Sequence, residues 1–236
     1  MLDVVDLSYT TSERPILQSI NACFEKGCLY ALLGANGAGK TTLLKTINGI
    51  LTPTKGHVLW QKAPLLSKER EEISRTITLI PQAPQLSFDL TAHEMVQLGT
   101  YSHQKPPKPH FADYALKATN GWHLKNRMLS TLSQGEKGRI YIARAIAVDA
   151  PVLLCDEPTA NLDIQHQRDI WKLLKDISNH GKIVIVATHD LEAASLWSDH
   201  AILLDHGRIK DKRDAYHIAK AMREALLDIP NNTHRL

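Results

Sequence analysis

The sequence predicts an α/β protein with a mainly parallel sheet, a small antiparallel β subdomain and an inserted all-helical subdomain. Three observations carry this. Short aliphatic runs at Leu29–Leu33, Thr76–Ile80, Val152–Cys155, Ile183–Ala187 and Ala201–Leu204 read as strands buried on both faces, as in a parallel sheet. Helical stretches lie between them, at Lys40–Ile50, Gln134–Ala147, Gln165–Ser178 and Leu191–Ser198. From about Pro84 to Ala150 the alternation stops, and the segment reads as helices without a convincing strand.

Taken in order, the first 30 residues and residues 56–80 hold β-prone segments with turns at Lys26-Gly27 and Lys55-Gly56, which predicts a small antiparallel sheet. Thr91-Ala92-His93-Glu94 opens a helix as a capping box, followed by Met95, Val96 and Leu98. Gln104 to Pro109, with three prolines, predicts an extended polar loop after it. His206-Gly207 reads as a turn. Ala215, Ile218, Ala219, Met222 and Leu226 then share one helical face, and Asn231–Leu236 reads as a frayed tail. The expected division is one domain over 1–236, with residues 1–83 and 151–236 as core and β subdomain and 84–150 as the helical insertion.

The composition is that of a globular protein: 236 residues, 43% hydrophobic and 22% charged, which supplies a sizeable core. The net charge of +3 is small and the basic residues are scattered, so nucleic acid is not an expected partner. No apolar run reaches the roughly 18 residues of a membrane span. The acidic start, Met1 to Asp6, does not resemble a secretory leader. Cys23, Cys28 and Cys155 form no CxxC pair and are expected as buried reduced thiols. The twelve histidines show no metal-ligand spacing.

Chemistry enters with Gly34-Ala35-Asn36-Gly37-Ala38-Gly39-Lys40-Thr41, which matches G-x-x-x-x-G-K-[ST] between an expected strand and an expected helix. That is the context of a P-loop, and the α/β unit reads as a P-loop nucleoside triphosphatase core. Glycines let the backbone wrap phosphate oxygens and turn its N–H groups inward, and the helix start adds a favourable dipole. Lys40 would reach the β- and γ-phosphates, and the Thr41 hydroxyl would bind Mg²⁺. A second cue is Asp156-Glu157 at the end of Val152–Cys155, where open α/β sheets bind ligands. Asp156 would hold the metal, and Glu157 would orient or deprotonate the attacking water.

With these motifs and Leu132-Ser133-Gln134-Gly135-Glu136 between them, the chain resembles the ABC (ATP-binding cassette) ATPases over roughly residues 2–215. The usual signature is Leu-Ser-Gly-Gly-Gln, from which Gln134 and Glu136 depart. Cys155-Asp156-Glu157-Pro158-Thr159-Ala160-Asn161-Leu162-Asp163 resembles the family's Walker B and D-loop, Thr188-His189-Asp190 its switch histidine, and Pro81-Gln82 its Q-loop. The resemblance implies a nucleotide site of Tyr9, Gly34, Asn36, Gly37, Ala38, Gly39, Lys40, Thr41 and Thr42. It implies catalytic roles for Glu157, His189, Gln82 and Lys40, and metal contacts from Thr41, Gln82 and Asp156. It also implies that Ser133, Gln134, Gly135 and Glu136 contact ATP on a partner chain and that Asp163 lies across the dimer interface. Other readings stand beside these. Tyr9 packs in an edge strand or stacks on adenine. Asp163 caps the following helix or reaches the partner. Ser133-x-x-Glu136 is itself a capping box, which is compatible with an anion site at the same helix start. Gln134 must tolerate the backbone geometry of the glycine it replaces.

The resemblance implies an ATP- and Mg²⁺-dependent homodimer that powers a transporter through integral-membrane permease subunits and a substrate-binding protein, on the cytoplasmic inner face of the membrane. Leu90-Thr91 with Val96-Gln97-Leu98-Gly99-Thr100-Tyr101-Ser102-His103 resembles the V-x-L-G-R-x-P-H stretch of ATPases importing iron chelates, haem and cobalamin, with Thr100 and Ser102 as departures. Zinc or manganese importers, exporters and soluble ABC ATPases of cofactor assembly are the alternatives. No Asn-Lys-x-Asp guanine motif favours a GTPase.

Overall fold

The aliphatic runs become the centre of the molecule. The computed structural model describes residues 1–82, 89–101, 111–160, 162–218 and 220. In chain order these form β1 (Leu2–Thr10), β2 (Pro15–Phe24), β3 (Leu29–Leu33), α1 (Lys40–Ile47), β4 (Lys55–Trp60), β5 (Ala63–Pro64), α2 (Arg70–Thr76) and β6 (Ile77–Ile80). There follow α3 (Ala92–Thr100), α4 (Phe111–Ala118), α5 (Gln134–Val148), β7 (Val152–Asp156), α6 (Ile164–Asn179), β8 (Ile183–Ala187), α7 (Leu191–Trp197), β9 (His200–Asp205) and β10 (Arg208–Asp214).

A six-stranded sheet runs in the order β10-β9-β3-β8-β7-β6, parallel throughout except for the β9–β10 hairpin. Every residue of β3, β7 and β8 is buried, as a sheet covered on both faces requires. Truncating one of these side chains, Leu154 for example, would cost about 2–5 kcal/mol. A four-stranded antiparallel sheet, β2-β1-β4-β5, lies beside it. Helices α3, α4 and α5 share an apolar core of their own, built from Met95, Val96, Leu116, Ile140 and Ala143 among others.

Register is what places the functional residues. Ile80 pairs with Cys155, Asp156 with Ala187, and Ala187 with Leu32. The segments leaving β6, β7, β8 and β3 therefore emerge at one edge of the sheet.

Four expectations need correction. The first helix stops at Ile47 rather than Ile50. Gly49 adopts φ 77°, and the N–H groups of Gly49 and Ile50 donate back to the Thr46 and Lys45 carbonyls, a Schellman ending. Within residues 56–80 only β4 and β5 join the antiparallel sheet, because Arg70–Thr76 coils into α2. Its i,i+4 pairs Lys68–Glu72 and Glu71–Arg75 favour the helix. Cys155 is buried as expected, but Cys23 and Cys28 are only half-buried; all three are free thiols. Gln134 needs no special backbone geometry: it opens α5 outside the left-handed region. The expected loop at 104–109, Ser102, His103, Asn161, Ala219, Met222, Leu226 and the tail from Asn231 lie outside the described residues.

Candidate nucleotide site at the carboxyl edge of the sheet

The loop between β3 and α1 is shaped by close approach. Gly34 has φ 153°, and a Cβ there would sit 2.3 Å from the Leu204 carbonyl oxygen, so no larger residue fits. The Gly207 N–H donates to the Ala38 carbonyl at 3.0 Å and the Gln18 N–H to the Gly207 carbonyl at 2.8 Å, pinning the loop from the β9–β10 turn. Lys40 is 6% exposed, and its Nζ donates to the carbonyls of Gly34 at 2.7 Å and Ala35 at 3.2 Å. The amine is thus folded into the cradle, held by backbone acceptors that a phosphate would replace. Asn36 is exposed on the loop, while Ala38 is buried beneath it.

Asp156 ends β7 buried, and its Oδ1 accepts from the Thr41 hydroxyl at 3.1 Å. Burial raises its carboxyl above the usual range, opposed by the Thr41 hydrogen bond and by Lys45 and Lys40. Glu157 follows with φ 49°, a conformation a non-glycine residue seldom adopts, and its N–H donates to the Ala187 carbonyl at 2.9 Å. Glu157 Oε2 is approached by Gln82 Nε2 at 3.4 Å and by His189 Nδ1 at 3.3 Å. His189 is held between β8 and α7: the Asp190 side chain accepts from the N–H groups of Glu192 and Ala193, and the Asp190 N–H donates to the Thr188 hydroxyl.

The structure thus gathers Gly34–Thr41, Gln82, Asp156, Glu157 and His189 at one edge. Thr42 is half-buried in α1, its carbonyl accepting from the Thr46 hydroxyl. Tyr9 is half-buried against the core and pairs with Leu17, whose side chain lies 3.1 Å from where a Gly39 Cβ would sit.

The signature stands apart and is satisfied within its own chain. The Ser133 hydroxyl accepts from the Glu136 N–H at 3.3 Å, and Glu136 accepts from the Ser133 N–H at 2.7 Å. The Ser133 N–H, with smaller help from the Ser133 side chain and Arg127, holds the Glu136 carboxyl below the usual range. Arg127 binds Glu136 and the Thr131 carbonyl. Gly135 is buried and helical. Asp163 caps α6, accepting from the His166 N–H at 3.0 Å and from the His166 ring. The sequence reading missed His166 and the Thr188 hydroxyl. A histidine three residues after a capping acid was the available signal for the first.

A family model described as ABC transporter matches residues 17–160. The chain belongs to the ABC transporter family. Among relatives within it, the chain is 35% identical over 215 residues to a cobalamin import ATP-binding protein of Halobacterium salinarum, covering 89% of this chain and 54% of that protein. The chain therefore spans about half the length of that relative. It is 35% identical to a hemin import ATP-binding protein of Hahella chejuensis, covering 89% and 85% of the two chains. Among solved family structures, cbiO1 of Clostridium perfringens, described as part of the ABC transporter complex cbiONQ, matches with a TM-score of 0.81 at 32% identity, covering 97% and 95%. An ATP-binding cassette in a dimeric post-hydrolysis state bound to ADP and Pi matches with a TM-score of 0.79 at 26% identity, covering 91% and 99%. Among the described residues no helix is long and apolar enough to cross a membrane.

Proposed function

We propose that this chain is the ATP-hydrolysing subunit of an ABC transporter, working as a head-to-tail homodimer that drives import of a metal chelate, haem or cobalamin. The observation that carries the reading is the gathering of Lys40, Thr41–Asp156 and Gln82–Glu157–His189 at one strand edge. In this reading residues 84–150 form the helical subdomain, and 1–83 with 151–236 form the core and β subdomain. The names of the cobalamin and hemin relatives support the cargo class.

The P-loop amides and Lys40 bind the phosphates, with Gly34, Asn36, Gly37, Ala38, Gly39, Thr41 and Thr42 around them and Tyr9 beside the base. Thr41 and Asp156 offer hard oxygen donors, and a cation there would offset the burial of the Asp156 charge, so the residues fit Mg²⁺, with Gln82 beside them. When bound, the ion neutralises phosphate charge. Glu157 orients the attacking water and takes up its proton. Gln82 and His189 fix the Glu157 carboxylate and the γ-phosphate side of the site. The partner's Ser133–Glu136 helix start completes the phosphate shell, so ATP favours closure and hydrolysis releases it. The chain docks on permease subunits at the inner face of the membrane, with a substrate-binding protein delivering cargo.

The test is Glu157→Gln. We expect ATP-dependent dimer to accumulate while turnover falls by about a hundredfold or more. A near-normal hydrolysis rate overturns the assignment. Co-purification of the wild-type chain with a multi-span membrane protein tests the transport half; a chain that never acquires such a partner favours the cofactor-assembly alternative.

A further inference from the structure

The capping acid of α6 and the signature glycine of α5 meet on one side chain, His166. Asp163 has both oxygens engaged by one residue, as Asp214 has by His217, but only the Asp163 pair lies beside the signature. Oδ1 accepts from the His166 backbone N–H at 3.0 Å and Oδ2 from the ring Nδ1–H. The backbone bond, then the ring bond, holds the Asp163 carboxyl below its usual range. An ionised carboxylate only accepts, which makes Nδ1 the protonated ring nitrogen.

The same ring lies beside the signature glycine. His166 Cγ and Cδ2 lie 3.5 Å from the position a Gly135 Cβ would take, and Leu162 Cδ2 lies 3.6 Å from it. Further along the two helices, Arg139 of α5 donates to Asp169 of α6 at 2.9 Å. Gln167 Nε2 donates to the Leu162 carbonyl at 3.1 Å, tying the preceding loop to the same helix. Asp163 is thus held in place by its own helix while its side chain stays exposed, and the starts of α5 and α6 lie side by side.

We propose that His166 is a positioning residue, holding Asp163 and bracing Gly135 so that the Asp163 loop and the signature meet the partner's nucleotide as one rigid unit. This rests on the two-chain site proposed above. The physical gain is preorganisation: groups already ordered lose less freedom on closure.

The experiment places His166→Ala and His166→Asn separately in the full-length Glu157→Gln chain and measures ATP-dependent dimerisation by sedimentation. Single-chain ATP affinity is titrated in parallel. Losing a charge-assisted bond and its brace should weaken dimerisation about tenfold with His166→Ala, leaving single-chain affinity within about twofold. The short amide of His166→Asn supplies an N–H in place of Nδ1 and should recover dimerisation to within about threefold. The inference is overturned if His166→Ala dimerises like its parent, if His166→Asn fails to recover, or if single-chain ATP affinity falls in step with dimerisation. A Glu157→Gln parent that does not dimerise with ATP marks failure of the two-chain reading itself, and the His166 inference falls with it.

Discussion

The P-loop and the signature bind phosphate in the proposed site, yet they are built in opposite ways. The P-loop is forced: Gly34 admits no Cβ, Lys40 is buried on its own loop carbonyls, and Asp156 is buried with its acidity reduced. The signature is relaxed: its capping box closes on itself, Gln134 is an unstrained helical residue, and a Cβ at Gly135 would meet only ordinary contacts. The contrast teaches that, in the proposed site, the half that cradles the nucleotide holds its tension within its own chain. The other half rests satisfied until a partner arrives.

Lys40→Ala should break the forced half most. It removes the amine and leaves the Gly34 carbonyl without its donor, so hydrolysis should fall by about a thousandfold and the melting midpoint should drop. A steady-state ATPase assay and a thermal melt read both. Asp156→Asn separates function from stability. Its raised pKa means that the charged carboxylate destabilises the fold above that pKa, a penalty that disappears as pH falls through it toward the ordinary carboxylate value. The neutral amide keeps an acceptor for Thr41, so the nucleotide-free chain should melt no lower at neutral pH while hydrolysis falls by about a hundredfold. A clearly lower melting midpoint would contradict the burial argument.

Two matched capping boxes sharpen the relaxed half. Ser133→Ala and Thr91→Ala should each cost about 1 kcal/mol in chemical denaturation. Only Ser133→Ala should also reduce turnover, by about tenfold, because only that helix start faces a nucleotide in the proposed dimer. Equal turnover in the two variants would reduce the signature to a cap. The smallest effect belongs to Gln134→Gly. No strain is relieved there, so dimer closure should change less than about twofold, with a stability loss of at most about 1 kcal/mol from the poorer helix former.

Much of this was legible because buried parallel strands announce themselves: Leu29–Leu33 and Ile183–Ala187 have the bounds the sequence suggested. The P-loop was legible for the same reason its sterics are severe. Helix α2 was hidden because Ile73 and Thr76 are β-prone; both are buried on its inner face, and its i,i+4 ion pairs add a small local preference. The left-handed turn at Glu157 has no local signal: its N–H is claimed by Ala187, 30 positions later in the chain. The closeness of His166 to Gly135 is invisible in sequence because it joins two helix starts that a whole strand separates in the chain.

The bond from Gly207 to Ala38 sets a limit on modularity. The family match ends at residue 160, yet the phosphate loop is clasped by a turn nearly fifty residues further on, whose neighbour Leu204 also closes over Gly34. A fragment carrying every recognisable motif but ending before β9 would hold the right letters around an unclasped loop. The smallest competent nucleotide unit is therefore longer than the set of its motifs, and the edge hairpin belongs to it.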